Sequence, residues 1–212
     1  IDRLIEIEIE KARKRAEEEA RRKAAAEAAA KAAAAKKAER ETTGGASRSK
    51  YTEKNESTKK VAPVEKFSLN NEDRQLSGSF ERNRGILPVP ITGPCVIDSH
   101  YGQYAVDGLR NVKLDNEGIA IKGKPGAQAR AVFNGELLAI FQYNGLNNIL
   151  VRHGNYISVY CNLSSVSVSK GSKVNTRTVL GTIHTDSSGN TVLHFQLRKE
   201  TAKLNPELWL GR

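Results

Sequence analysis

Imidazoles and thiols are scarce in this sequence: 212 residues hold four histidines and two cysteines. The histidine in the most regular setting is His194, within Thr191 to Arg198, T-V-L-H-F-Q-L-R. Side chains of a strand alternate between its faces. Leu193, Phe195 and Leu197 therefore share one face, and Val192, His194, Gln196 and Arg198 the other. The first face reads as core, together with Tyr160, and the second as a polar row where a site would lie. On that row the Arg198 guanidinium has the fork that suits a partner's carboxylate. The alternative is that it pairs with an acidic neighbour of its own, such as Glu200 or Glu207. For His194 the alternative to a contact role is a plain hydrogen-bonded side chain. His100 and His184 fall in expected loops and His153 in an H-G turn, which marks them as surface or turn residues. Cys95 and Cys161 lack metal-ligand spacing and read as free thiols rather than a disulfide.

The elements that must position the row fall into three pieces. Residues 1–41 are almost entirely Ala, Glu, Lys and Arg, with neither Gly nor Pro before Gly44 and Gly45. They predict one helix of about 60 Å. Its stripe of Ile1, Leu4 or Ile5, Ile9, Ala12, Ala16, Ala20 and Ala24 predicts close packing on another helix, as in a coiled coil. Residues 42–66 have linker composition, and the lead-in Phe67 to Arg84 regains apolar groups at Phe67, Leu69, Leu76 and Phe80. It is expected to form a short helix or turn that pins the linker, so the second piece is 42–86. The third, 87–212, is long enough for one core. Strands are predicted at Ile119–Ile121, Ala129–Phe133, Glu136–Phe141, Asn148–Arg152, Ile157–Cys161 and Thr191–Leu197, separated by turns such as Asn134-Gly135, Asn144-Gly145 and His153-Gly154. The fold class is therefore all-β, antiparallel sheets forming a sandwich or flattened barrel, preceded by a long α-helix.

Charge and hydropathy narrow the function. The net charge of +10 is spread as +2, +3 and +5 over the three pieces, with no Lys/Arg block interleaved with aromatics. That excludes a nucleic-acid partner and fits a mild attraction to anionic wall polymer or an acidic protein. No apolar run approaches the roughly 20 residues a membrane span needs. Absence of Met predicts that any leader or anchor has been removed from the sequence in hand.

The order of motifs in the third piece is specific. Gly126 to Gly135 reads G-x-x-A-x-A-V-x-x-G, followed by N-x-I-L-V-R-H-G from Asn147 and Y-C-N-L from Tyr160. Then come V-S-K-G-S-K-V from Val168, L-G-T-I from Leu180, L-H-F-Q-L-R from Leu193 and N-P-x-x-W-L from Asn205. This set resembles the LytM/lysostaphin-type zinc metallopeptidase domain over Leu87 to Arg212. The coiled-coil-like helix and the lead-in Leu76 to Gly93 resemble, more narrowly, the EnvC-like murein hydrolase activators.

Active members of the peptidase family carry H-x-x-x-D, H-x-H and Y-A-H-L motifs. The resemblance places Asn116 at the first His and Ala120 at the Asp, Val192 at the first His of H-x-H, and Asn162 at the catalytic His; His194 alone is retained. A hydrolytic zinc site needs three protein ligands and an open position, so no metal and no cofactor is expected. If residues 115–117 are strand, Asp115 and Glu117 point away from Asn116 and replace nothing. What remains is a groove floored by Asn116, Ala120, Asn162, His194, Gln196 and Arg198.

The EnvC-like resemblance implies a non-catalytic, periplasmic or cell-envelope activator that binds an N-acetylmuramoyl-L-alanine amidase, freeing its active site during cell-wall remodelling and daughter-cell separation. It implies a coiled-coil link to a membrane complex of the division machinery. Peptidoglycan contact stays open. The alternatives are a zinc endopeptidase with a non-standard site and a passive wall-binding module.

Overall fold

Two tight turns set the centre of the domain. Asn144-Gly145, both at positive φ (50° and 77°), close one hairpin, and Gly154-Asn155 close the next between paired His153 and Tyr156. Positive φ is what a two-residue hairpin turn requires, because only that twist matches the flanking strands.

The computed structural model describes residues 2–41, 71–105 and 113–211; the expected linker 42–66, with Phe67 and Leu69 of the lead-in, lies outside the described residues. Helix α1 spans Asp2–Glu41 and α2 Asn71–Arg82. The strands are β1 Val96–Ser99, β2 Gly102–Ala105, β3 Lys113–Asn116, β4 Ile119–Gly123, β5 Gln128–Arg130 and β6 Gly135–Tyr143. They continue as β7 Leu146–His153, β8 Tyr156–Leu163, β9 Lys173–Val174, β10 Val179–Thr182, β11 Thr191–Lys199 and β12 Ala202–Leu204, before a 3-10 turn at Pro206–Leu208. One eight-stranded sheet runs β1-β4-β11-β8-β7-β6-β9 with β12 beside β11; β5 pairs β10 and β2 pairs β3 in two small sheets. All pairings between these strands are antiparallel, as expected from the sequence. The strands are not, however, divided into two comparable sheets. The six expected strands correspond to β4–β8 and β11, and the short strands of two to four residues carry too little alternation to be read from sequence.

The chain divides into a unit of Ile1–Ala12 with Leu69–Arg212 and a unit of Arg13–Ser68. In the second, Ala20 and Ala24 of the expected helix seam are exposed. In the first, the main core takes Ile119, Ile121, Tyr160, Leu193, Phe195 and Leu197 from one face of the large sheet. Phe80 of α2 joins it, stacked on His153 and Tyr156 at 4.9 and 4.8 Å and beside Trp209 at 5.4 Å. Burying such a ring contributes about 2–3 kcal/mol. Gly154 makes this seat available: a Cβ there would lie 2.0 Å from Ser77 Oγ and 2.4 Å from the Asp73 carbonyl oxygen. Arg152 fastens the same helix, reaching Asp73 at 3.2 Å and Glu136 at 3.3 Å.

His153 is wholly buried at this junction. The Asn134 carbonyl can only accept, so Nδ1, 2.7 Å away, carries the proton, and Nε2 faces Ser158 Oγ at 2.8 Å. Burial pushes the imidazole down to about 4 from 6.5, the bond to Asn134 offsetting a part. Unfolding lets the ring take up a proton at its ordinary value. Stability from the neutral ring is thus complete above pH 6.5 and is lost as pH falls from 6.5 toward 4, by about 3 kcal/mol. Urea midpoints at pH 7.5 and 4.5 should differ accordingly, and the difference should shrink in His153→Gln; an unchanged slope would show that other groups set it.

Candidate functional site

Strand β11 places Val192, His194, Gln196 and Arg198 on the sheet face opposite the main core, because Leu193, Phe195 and Leu197 between them belong to that core. Register then fixes the neighbours. His194 lies opposite Ala120 of β4 and Cys161 of β8, and Gln196 opposite Val159. Arg198 lies opposite Ile157 of β8 and Lys203 of β12. Farther across, Val159 faces Leu150, which faces Ala139. Ile157, Val159, Cys161, Leu150 and Ala139 are all buried yet lie outside the main core cluster. The face therefore has an apolar sector on β6–β8 beside the polar row on β11. This sector was absent from the sequence reading. The signal was present in β8, where Ile157, Val159 and Cys161 alternate with Tyr156, Ser158 and Tyr160, a pattern that fits a strand covered on both faces.

The first turns of α1 approach this face at its Arg198 end. Ile5 and Ile9, one turn apart, are 0% and 3% exposed, and Glu6 Oε1 lies 3.9 Å from Arg198 Nη1. The apolar start of the α1 stripe, expected to meet another helix, lies instead within the same unit as the sheet. Arg198 is 0% exposed.

A chain of polar contacts runs along the row. Arg198 donates from Nε and Nη2 to Gln196 Oε1 at 3.3 and 3.0 Å. With its oxygen so engaged, Gln196 presents its amide nitrogen to His194 Nε2 at 3.2 Å. An amide nitrogen only donates, so His194 Nε2 accepts and a neutral ring carries its proton on Nδ1. Arg198 Nη2 also lies 4.0 Å from Glu117 Oε2, and Glu117 Oε1 accepts from Lys203. Glu117 corrects the expectation that it points away: β3 ends at Asn116, and the bend through Gly118 turns it toward Arg198. A Cβ on Gly118 would meet the Phe195 carbonyl oxygen at 2.4 Å, so glycine permits the close crossing. Glu117 and Glu6 are carboxylates beside Arg198; Glu207 holds His100 Nδ1 at 3.0 Å and the Tyr101 N–H at 3.1 Å.

The two asparagines are engaged locally. Asn116 donates to Ser99 Oγ and the His100 carbonyl at 3.1 and 3.0 Å. Asn162, at φ 70°, donates to the Val192 carbonyl at 3.4 Å. Register brings Ala120 and His194 together, while Asn116 and Asn162 reach the rim through these bonds. Among the described residues, no three of His, Cys, Asp and Glu gather closely enough to hold a metal ion. A zinc ion of the kind the resemblance implies does not fit this row: amides, a methyl and a valine stand at the other positions, and the imidazole nitrogen facing Gln196 is already an acceptor. Cys95 and Cys161 are both free thiols. No described helix is long and apolar enough to cross a membrane.

Residues 115–206 match the model of peptidase family M23. The chain is 29% identical over 139 residues to the murein hydrolase activator EnvC of Escherichia coli, covering 64% of this chain and 32% of that protein. It is 29% identical over 159 residues to an uncharacterized protein of Neisseria meningitidis, covering 69% of this chain and 25% of the relative. The match thus spans a third or less of the length of these curated relatives. Among solved structures, Csd3 of Helicobacter pylori shares the fold, with a TM-score of 0.50 and 20% identity over 60% of this chain and 35% of that one.

Proposed function

We propose that this chain is a non-catalytic activator of peptidoglycan-cleaving N-acetylmuramoyl-L-alanine amidases, acting through the β11 face as a helix-binding groove. The observation that carries the reading is at that face: an amphipathic turn of α1 carries two buried isoleucines and sets a glutamate beside Arg198. A surface that seats Ile5, Glu6 and Ile9 has the chemistry to seat a comparable helix of a partner, the helix-in-groove mode of recognition. The similarity to EnvC supports a murein hydrolase as that partner. In this reading α1 holds the groove closed, and activation is a shift toward an open population in which the amidase's regulatory helix takes its place. The groove floor is Asn116, Ala120, Asn162, His194, Gln196 and Arg198, extended by Ile157 and Val159. The site of action is the periplasm or cell envelope, and the remainder of the helix connects to a membrane complex of the division machinery.

The residue types of the row support this reading over a zinc endopeptidase, and an assay decides between the two. Dye release from labelled murein is measured with an amidase present, using chain treated with chelator and then desalted, and untreated chain. Equal stimulation by both, with no release by the chain alone, is the expected outcome. Release by the chain alone that chelation removes would overturn the reading in favour of an enzyme.

A further inference from the structure

Strand β6 is the last long strand of the large sheet, and its outer edge is only partly occupied. Strand β9 pairs Gly135 and Glu136, and Gly171 and Ser172 bond Leu137. Beyond Leu137, no strand among the described residues pairs this edge. Register with β7 runs unbroken from Ala139↔Leu150 to Tyr143↔Leu146, and the two-residue turn Asn144-Gly145 makes Tyr143 and Leu146 a hydrogen-bonded pair. Stepping back by two, Phe141 and Ala139 turn their N–H and C=O toward β7, and Ile140 and Gln142 turn theirs outward. Outward groups on an edge are a template for another strand, which proteins blunt with charge, Pro or a bulge. The opposite edge is blunted: β1 has four residues, and its register slips between Ile97 and Ser99, where Asp98 stands. The stretch Ala139–Tyr143, A-I-F-Q-Y, holds no charge and no Pro, and the bulge of β6 falls before it, at Leu138. Gln142 is exposed, and Tyr143 is 38% exposed.

We infer that this edge is a seam between two copies of the chain, Ala139–Tyr143 pairing antiparallel with the same residues of a second copy about a two-fold axis at Phe141. Register and side-chain size select that occupant. With the axis at Phe141, Ile140 lies opposite Gln142 of the second copy and exchanges both backbone bonds with it. Symmetry repeats the pair, so every outward group on both edges gains a partner. An axis at Ile140 would set Gln142 opposite the bulge residue Leu138, and an axis at Gln142 would set Ile140 opposite the turn residue Asn144; either leaves outward groups unbonded. At the axis Phe141 faces its own copy at the close, non-hydrogen-bonded spacing, a favourable aromatic pair. On each side of it the small Ala139 faces the large Tyr143, and no charge is desolvated. The seam is short and belongs with weak interfaces, below about 1,200 Å². Ala139, Phe141 and Tyr143 share the sheet face that carries Val159 and Leu150. The second copy therefore adds its Tyr143 at the outer end of the Val159–Leu150–Ala139 row, and the apolar sector continues across the seam. Nothing in this inference depends on an amidase.

Sedimentation equilibrium of the intact chain from about 1 μM to about 1 mM tests it, with the apparent mass expected to rise from that of one chain toward that of two. Phe141→Glu and Phe141→Lys each set like charges face to face at the axis and should weaken association at least about tenfold. An equimolar mixture of the two variants should associate about as tightly as the parent chain, because opposite charges then meet. Gln142→Pro removes one outward N–H at an exposed position while the strand keeps its bonds to β7, and should also weaken association about tenfold. A parent chain that stays monomeric over the whole range overturns the inference. So does association that the Glu and Lys variants leave unchanged, which would place the contact elsewhere, as on α1. Weakened variants whose mixture stays apart overturn the register at Phe141. Should the charge variants melt well below the parent chain, Gln142→Pro decides: association as tight as the parent's removes this edge from the contact.

Discussion

Arg198→Glu should lose amidase stimulation by about a hundredfold in the dye-release assay. The substitution removes the guanidinium that faces the incoming helix and sets a third carboxylate beside Glu117 and Glu6, which lie 4.0 and 3.9 Å from the present side chain. Truncating one partner of a buried charge pair costs about 2–5 kcal/mol in binding, and about 3 kcal/mol corresponds to the stated factor. Because Arg198 is 0% exposed, a charge reversal also strains the fold, so Arg198→Met is the companion variant. It keeps the aliphatic volume over Ile157, frees Gln196 from its donor and should lose stimulation about tenfold while melting close to the parent chain. Full stimulation by a folded Arg198→Met protein would remove this end of the groove from the recognition surface.

The opposite result is expected from the cover. Replacing both Ile5 and Ile9 by Asp should raise stimulation at least about tenfold at limiting chain concentration. Each isoleucine is buried and contributes about 2–3 kcal/mol to keeping the helix seated. A partner that needs the open groove binds with its intrinsic affinity divided by the inverse of the open fraction, so unseating the helix raises apparent affinity without any new contact. The same variant should expose the α1 amides of residues 3–12 to exchange, a check independent of the amidase. Faster exchange without added stimulation would mean that the helix covers the face but does not restrain the activity.

The two experiments read different halves of one surface. Arg198 lies on a polar row that alternation in T-V-L-H-F-Q-L-R already marked, with Leu193, Phe195 and Leu197 buried behind it as expected. Ile157, Val159, Leu150 and Ala139 went unread, because a strand apolar on both faces looks like core until something is found to cover its second face. Glu117 was misplaced for a local reason: a period of two holds only while the strand lasts, and β3 stops at Asn116. The apolar start of α1 was legible as a sticky stripe, but its partner was not. A stripe of Ile and Ala specifies that something must be buried, and the free energy of burial is indifferent to whether a helix or a sheet supplies the other side.

The sequence alone determined the antiparallel β character of the domain, the turns at Asn144-Gly145 and His153-Gly154, the 40-residue helix α1 and a polar row holding one imidazole and one guanidinium. These follow from periodicity and from residues with restricted backbone choices, which act over a few neighbours. Only the tertiary structure decided that β8 brings an apolar sector alongside that row, that Gly118 steers Glu117 to Arg198, and that the first turns of α1 bring Glu6 beside Arg198. Those are contacts between segments distant in the chain: Ile157 and Arg198 are 41 residues apart, Glu117 and Arg198 81, and Glu6 and Arg198 192. No local pattern encodes which of several apolar faces meets which; packing of the whole chain selects it.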